Sequence, residues 1–222
     1  MTCEKPVAMD RRWLLGALTA ACLVWLWYSP LSPRVPEPPR FKKGVTPYCP
    51  LPPQVEPGQP PLQTPVPEGM IPFLLEPATL YPLAGFSIEA RVLSRENYVW
   101  GLESKLSPTD LLVGWGRMAE DAYIEHFSFS QGRRYGSYEW RGSPPLPPDE
   151  ILRSVSNMHI IPHDEQVARE LKRVKKGDRV RIDGWLVLAT TLDGFRWESS
   201  LRRDDTGNGA CEIVYACAIT RH

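Results

Sequence analysis

Proline restricts this chain more than any other residue. Of its 24 prolines, seventeen fall between Pro30 and Pro82. Each lacks a backbone N–H and fixes φ, which keeps it out of helix interiors and central strands. From Pro30 to Pro67, fourteen of thirty-eight residues are proline and aliphatic residues are sparse. Such a composition buries no core and samples extended polyproline II. Residues 30–70 are therefore expected to form a disordered linker, with a reach of at most on the order of 100 Å at ~3.1 Å per residue.

Ahead of this segment, Arg11-Arg12 precedes an uncharged apolar run from Trp13 to Tyr28. The run is short for a membrane span, and a signal-peptide core is the competing reading. Trp25, Trp27 and Tyr28 suit a bilayer interface, and no small-x-small cleavage site follows before Pro30. The expectation is a cytoplasmic tail at 1–12 and a transmembrane signal anchor at 13–29, with the lipid bilayer as its partner. The basic pair sets the orientation, leaving the rest of the chain outside the cytoplasm. Residues 71–222 would then be a single periplasmic domain in a bacterial inner-membrane protein.

That domain alternates like a β protein. Phe86, Ile88, Ala90 and Val92 interleave with Ser87, Glu89 and Arg91, the period of a half-buried strand. Further strands are expected at Leu111–Gly116, Ile124–Phe129, Tyr135–Trp140 and Ser154–Ile161, the middle pair joined through Gln131-Gly132. Asp164 opens a helix whose stripe is Val167, Leu171 and Val174, ended by Gly177. A strand from Val180 bends at Gly184, turns at Asp193-Gly194 and returns through Phe195 to Leu201, and Cys211–Ile219 closes the set. Strands, one helix, a hairpin and a closing strand predict a mostly β fold. It is either a small OB-like Greek-key barrel, with its helix before the fourth strand, or a related β-barrel or sandwich.

Three segments resemble a family of short-tailed, singly anchored bacterial inner-membrane proteins. They are L-S-P-T-D-L-L-V-G-W-G-R-M (106–118), S-N-M-H-I-I-P (156–162) and D-T-G-N-G-A-C-E (205–212). The resemblance implies an envelope protein and brings no catalytic residues with it.

The candidate chemistry is sparse. A thiolate beside an imidazole is a nucleophile, which makes Cys211 with His159 or His163 a catalytic possibility, with Gly207 and Gly209 offering backbone donors. Against this, Cys211, Ile213, Tyr215, Cys217 and Ile219 share one face of a strand, where cysteines are ordinary core residues. A disulfide from Cys49 to Cys211 or Cys217 is the remaining option. His159-x-x-x-His163 with Asp164 has metal-ligand residue types, but Pro162 breaks the helix that would align them and Asp164 suits an N-cap better. No metal or cofactor is expected.

From Ile71 onward, nineteen basic residues meet twenty-one acidic ones, so nucleic acid is not favoured as a partner. Trp185 alternates away from Val180 and Ile182 and is expected to be exposed. With Arg196, Arg202, Arg203, Asp204, Asp205 and Asn208 it forms the expected binding region. The expected role is a binding or assembly module for an envelope protein or glycan. An envelope Cys/His hydrolase or transpeptidase using Cys211 is the alternative, and an OB-type oligonucleotide binder the second alternative.

Overall fold

The computed structural model describes residues 11–28, 37–205, 207 and 210–222. The chain divides into two units, Met1–Arg34 and Val35–His222. In the first, α1 (Arg11–Tyr28) is an 18-residue helix with exposed Trp13, Leu15, Leu18, Leu23 and Trp25. No helix among the described residues is long and apolar enough to cross a membrane. The span expected at 13–29 therefore lacks structural support: the basic pair occupies the first turn, and the apolar remainder falls short of the ~20 residues a bilayer requires.

Among its described residues, the second unit holds ten strands. They are β1 (Leu62–Thr64), β2 (Phe73–Leu74), β3 (Thr79–Asn97), β4 (Thr109–Gly114), β5 (Phe127–Gly132), β6 (Tyr135–Trp140), β7 (Val155–Pro162), β8 (Arg179–Thr190), β9 (Arg196–Glu198) and β10 (Glu212–Arg221). The helices among them are short: α2 (Leu102–Leu106), α3 (Asp121–Ile124), α4 (Pro148–Arg153) and the nine-residue α5 (Glu165–Arg173). The fold is mostly β, as the alternation predicts. Ile124 ends α3 instead of starting a strand, and the β5–β6 turn is at Arg133-Arg134, two residues later than expected. Asp164 caps α5 as expected, its carboxylate accepting the Val167 N–H at 2.8 Å.

Strand pairing runs in the order β3-β4-β7-β10-β8, and β8 pairs back to β3, so the five strands form a closed ring. All these pairings are antiparallel except β7 with β10, which is parallel. The 19-residue β3 serves two neighbours, β8 along its first part and β4 along its last. Register shifts between Pro82 and Ala84 and between Val92 and Ser94 provide the bends that closure requires. Gly184 of β8 lets β10 approach, since a side chain there would run into the Tyr215 carbonyl.

One core fills the ring, built from Phe86, Ile88, Leu111, Val113, Met158, Ile160, Ile182, Leu186 and Val214, with Val167 and Leu171 of α5 packed against it. A second core lies on the opposite face of β8 and β10, where Trp185, Val187, Ile213 and Tyr215 meet Phe73, Leu75 and Leu80. The proline-rich segment covers this second core, which corrects the linker expected at 30–70: from residue 37 the chain belongs to the β unit. Pro52 and Val55 are buried, the Val55 N–H donates to Ser87 Oγ at 2.8 Å, and Gln54 Nε2 donates to the buried Asp183 at 3.0 Å. Prolines suit this work because an extended strap laid across side chains has no ladder to complete. Residues 30–36 lie outside the described residues.

A disulfide from Cys49 to Cys217 fastens the strap, with Cα atoms 5.4 Å apart across a sequence separation of 168. Cys217 is therefore a cross-link as well as a packing residue, since it and Cys49 both lie against the second core. The register shift between Ala216 and Ala218 sets Cys217 out at the bulge and moves Ile219 to the ring-core face. Closing so long a loop removes much unfolded-state entropy. Urea unfolding of the full chain is expected to show Cys217→Ser less stable than wild type by about 3–5 kcal/mol, with reductant bringing wild type down to the variant.

Candidate functional site

The pairing of β4 with β7 sets Asp110 directly opposite His159. Parallel pairing of β7 with β10 sets Glu212 beside Met158 and Ile213 beside His159, which puts Cys211, one residue before β10, next to Asn157 and within the depression that His159 also lines. Asp110 and His159 are a cross-strand pair, and Asn157 stands two residues from His159 on the same face, as strand periodicity requires. This is the face turned away from the ring core. The β5–β6 hairpin and β9 cover it, so Asp110 is wholly buried and His159 only 3% exposed.

His159 Nδ1 lies 2.9 Å from Asp110 Oδ2, a charge contact off the line of a well-aligned hydrogen bond. Burial opposes charging of the imidazole. The facing carboxylate of Asp110, and then Cys211, outweigh burial and raise the His159 pKa from 6.5 to about 9. Cys211 is a free thiol and half-buried. Its Sγ lies 3.8 Å from both Asn157 Nδ2 and the Arg134 carbonyl oxygen. The indole of Trp197 stacks obliquely on His159 with centroids 4.8 Å apart. Cys211 and Tyr135 line two adjoining depressions. One is bounded by Arg134, His159, Arg196, Trp197 and Glu198, and the other includes Asn157, Arg202, Arg203 and Asp205.

Arg134 holds this arrangement together. Its Nη1 donates to Asp110 Oδ1 at 2.8 Å and to the Ser107 carbonyl at 2.8 Å, while its guanidinium lies 4.0 Å from the Tyr98 ring centroid. Its backbone N–H donates to Tyr98 Oη, and its carbonyl accepts from Asn157 Nδ2 at 3.0 Å. Arg133 and Arg134 form the two-residue hairpin turn with φ of 52° and 70°. Asn-Gly normally fills such a turn, and left-handed backbone at a branched-out side chain costs roughly 1–2 kcal/mol per residue. The bonds made by Arg134 offset that strain, a pattern typical of functional sites.

The candidates named from sequence part company here. Cys211 and His159 meet. His163 does not join them: four residues on and just past the end of β7, about 13 Å away at ~3.3 Å per residue, its Nδ1 pairs with Tyr215 Oη at 2.8 Å. Burial, ahead of the opposing charge of Asp164, lowers its pKa. Trp185 is 2% exposed and donates through Nε1 to the Pro50 carbonyl at 2.8 Å, which corrects its assignment as an exposed contact residue. The face of β8 that alternation left for solvent is the one beneath the strap. Arg196 is exposed at the rim and pairs with Glu198 at 2.6 Å.

Arg202 pairs with Asp204 at 3.1 Å, and Asp205 accepts from Ser200. Arg203 pairs with the buried Glu212, and burial lowers its pKa to about 10. Arg202, Arg203 and Asp205 therefore line the groove leading to Cys211, bound largely to their own neighbours. Asn208 and Gly209 lie outside the described residues.

Sequence reasoning missed Asp110, Arg134, Asn157 and Trp197. A signal for two of them was present, because the segments 106–118, 156–162 and 205–212 singled out in the sequence converge here, supplying Asp110, then Asn157 and His159, then Cys211. Comparison of the chain with protein-family models, curated proteins and solved structures finds no match.

The raised His159 pKa has a defined consequence for stability. Its contribution is fully present below pH 6.5 and is lost as pH rises through about 9. Urea titrations at pH 6 and pH 10 are expected to show wild type losing on the order of 3 kcal/mol more than His159→Gln across this interval.

Proposed function

We propose that this domain is a thiol acyltransferase, hydrolase or transpeptidase of the cell envelope, with Cys211 as nucleophile, His159 as proton carrier and Asp110 as the group that orients and charges His159. One observation carries the reading: Cys211, His159 and Asp110 form a contiguous chain from a half-buried thiol to a fully buried carboxylate. Nucleophile, proton carrier and orienting carboxylate in that order make up the triad arrangement, which is recognised by geometry and not by fold.

In this reading the Cys211 sulfur, its proton held by His159, attacks a carbonyl carbon. The C=O pair moves onto oxygen. When it returns, the bond to the leaving amine or alcohol breaks, and His159 passes its proton to that group. A water or a second amine, deprotonated by His159, then attacks the thioester and releases the sulfur.

The finer fold assignment is an OB-type barrel. It is supported by the ring order, the parallel contact between the third and fifth ring strands, and α5 ahead of the fourth. OB barrels take oligomeric ligands on the face of their second and third strands, between the first and last long loops. In this chain that face carries Asp110, Asn157 and His159, flanked by Tyr98 in the connection after β3 and by Arg196 and Trp197 on β9. A peptide or glycan chain of the envelope is the substrate class that fits. The Cys49–Cys217 disulfide supports an oxidising compartment, and the exposed apolar side chains of α1 support attachment to the bilayer. The binding role built on Trp185 loses its anchor with the burial of that residue, while Arg196 becomes a substrate contact at the pocket rim.

Iodoacetamide kinetics on the folded full chain, read at the Cys211 peptide by mass spectrometry, test the proposal. Cys211 is expected to react faster folded than unfolded at pH 7, and His159→Ala to slow it at least ~10-fold. A Cys211 that stays silent until unfolding would contradict the reading.

A further inference from the structure

We propose that the side-chain amide of Asn157 is the oxyanion donor of the Cys211 site, its Nδ2 hydrogen-bonding the carbonyl oxygen that takes up negative charge when Cys211 attacks. The inference rests on the thiol reading above and adds the group that stabilises the transition state.

The orientation of the amide is set by its partners. The Arg134 carbonyl oxygen can only accept, so the Asn157 atom 3.0 Å from it is the NH₂ group. The other end, Oδ1, accepts from Gln131 Nε2 at 2.7 Å. One hydrogen of Nδ2 is thereby committed to Arg134, and the second points toward Cys211 Sγ, 3.8 Å away. A carbonyl carbon bonded to that sulfur carries its oxygen one bond further out, within reach of this hydrogen. Asn157 is 6% exposed and sits on the central strand β7, so its amide needs no rearrangement when charge develops. A fixed donor in a site sheltered from water is what makes an oxyanion hole effective. Gly136 of the hairpin is part of this fit, because a side chain there would press on Asn157 and Leu112.

Gln131, whose role is to hold Asn157, is a positioning residue in this scheme. So is Arg134, which acts on Asp110 through its guanidinium and on Asn157 through its carbonyl.

Two thiol reagents separate oxyanion stabilisation from mere site integrity. With p-nitrophenyl acetate, the Sγ–C bond forms, the carbonyl pair moves onto oxygen, and its return expels p-nitrophenolate. With iodoacetamide, the Sγ–CH₂ bond forms as iodide leaves, and no oxyanion arises. The test uses the full chain carrying Cys3→Ser and Cys22→Ser, so that Cys211 is its one free thiol. Asn157→Ala is expected to slow the p-nitrophenolate burst ~100-fold while changing alkylation by less than roughly 3-fold. Asn157→Asp, of the same size and without the donor, repeats the test should Asn157→Ala lose its fold. A parallel fall in both rates, or no fall in either, would overturn the Asn157 assignment alone. A parent protein with no burst dependent on Cys211 would overturn the thiol reading and this inference with it.

Discussion

The parallel pairing of β7 with β10 is the contact on which the rest depends. It closes the ring, since β10 is the strand that joins β7 to β8. It also lays the end of the 199–211 loop beside the one strand that carries Asn157 and His159. Parallel neighbours cannot be joined by a tight turn. The chain between them contains α5, β8 and β9, and each has a second use: α5 packs against the ring core, β8 pairs with β3, and β9 brings Trp197 over His159. A register slip of one residue would turn Cys211 and His159 to opposite faces. The buried ring core, alternating with the site face along the same strands, is what holds the register.

The outer face of the ring strands is covered along two separate stretches, while their inner face packs the ring core. On one side the proline strap shields Trp185 and Tyr215, stitched by Cys49–Cys217 and by hydrogen bonds from Trp185 to Pro50 and from Gln54 to Asp183. On the other, the β5–β6 hairpin and β9 enclose the polar network of Arg134, Asp110, His159, Asn157 and Cys211. Burial of a carboxylate is costly unless it is paired and hydrogen-bonded. Asp110 meets Arg134 on one oxygen and His159 on the other, so the buried carboxylate is paired on both sides.

The alternation of Phe86 to Val92, the Asp164 cap and the last strand were legible because each depends on local periodicity or on a residue's own hydrogen bonds. What covered the strands was not legible. Trp185 reads as exposed from alternation alone, since the strap that buries it lies more than a hundred residues upstream and looks, by composition, unable to pack. Cys211 and Cys217 read as equivalent on one strand face, yet one is free at the strand's edge and the other sits at a bulge that no pattern announces. His159 was legible as a candidate base for Cys211. Its partner Asp110 was not, because a cross-strand neighbour is set by register and not by spacing. Arg134 was the hardest to foresee, standing in a turn position where sequence rules expect asparagine or glycine.

Central to this account is the claim that Asp110, His159 and Cys211 form one coupled unit. An NMR titration of the His159 imidazole in the full chain tests it most directly. The account predicts a midpoint near pH 9 in wild type, and a clear downward shift on Cys211→Ser with the fold retained. A midpoint near 6.5 that ignores the Cys211 substitution would contradict it.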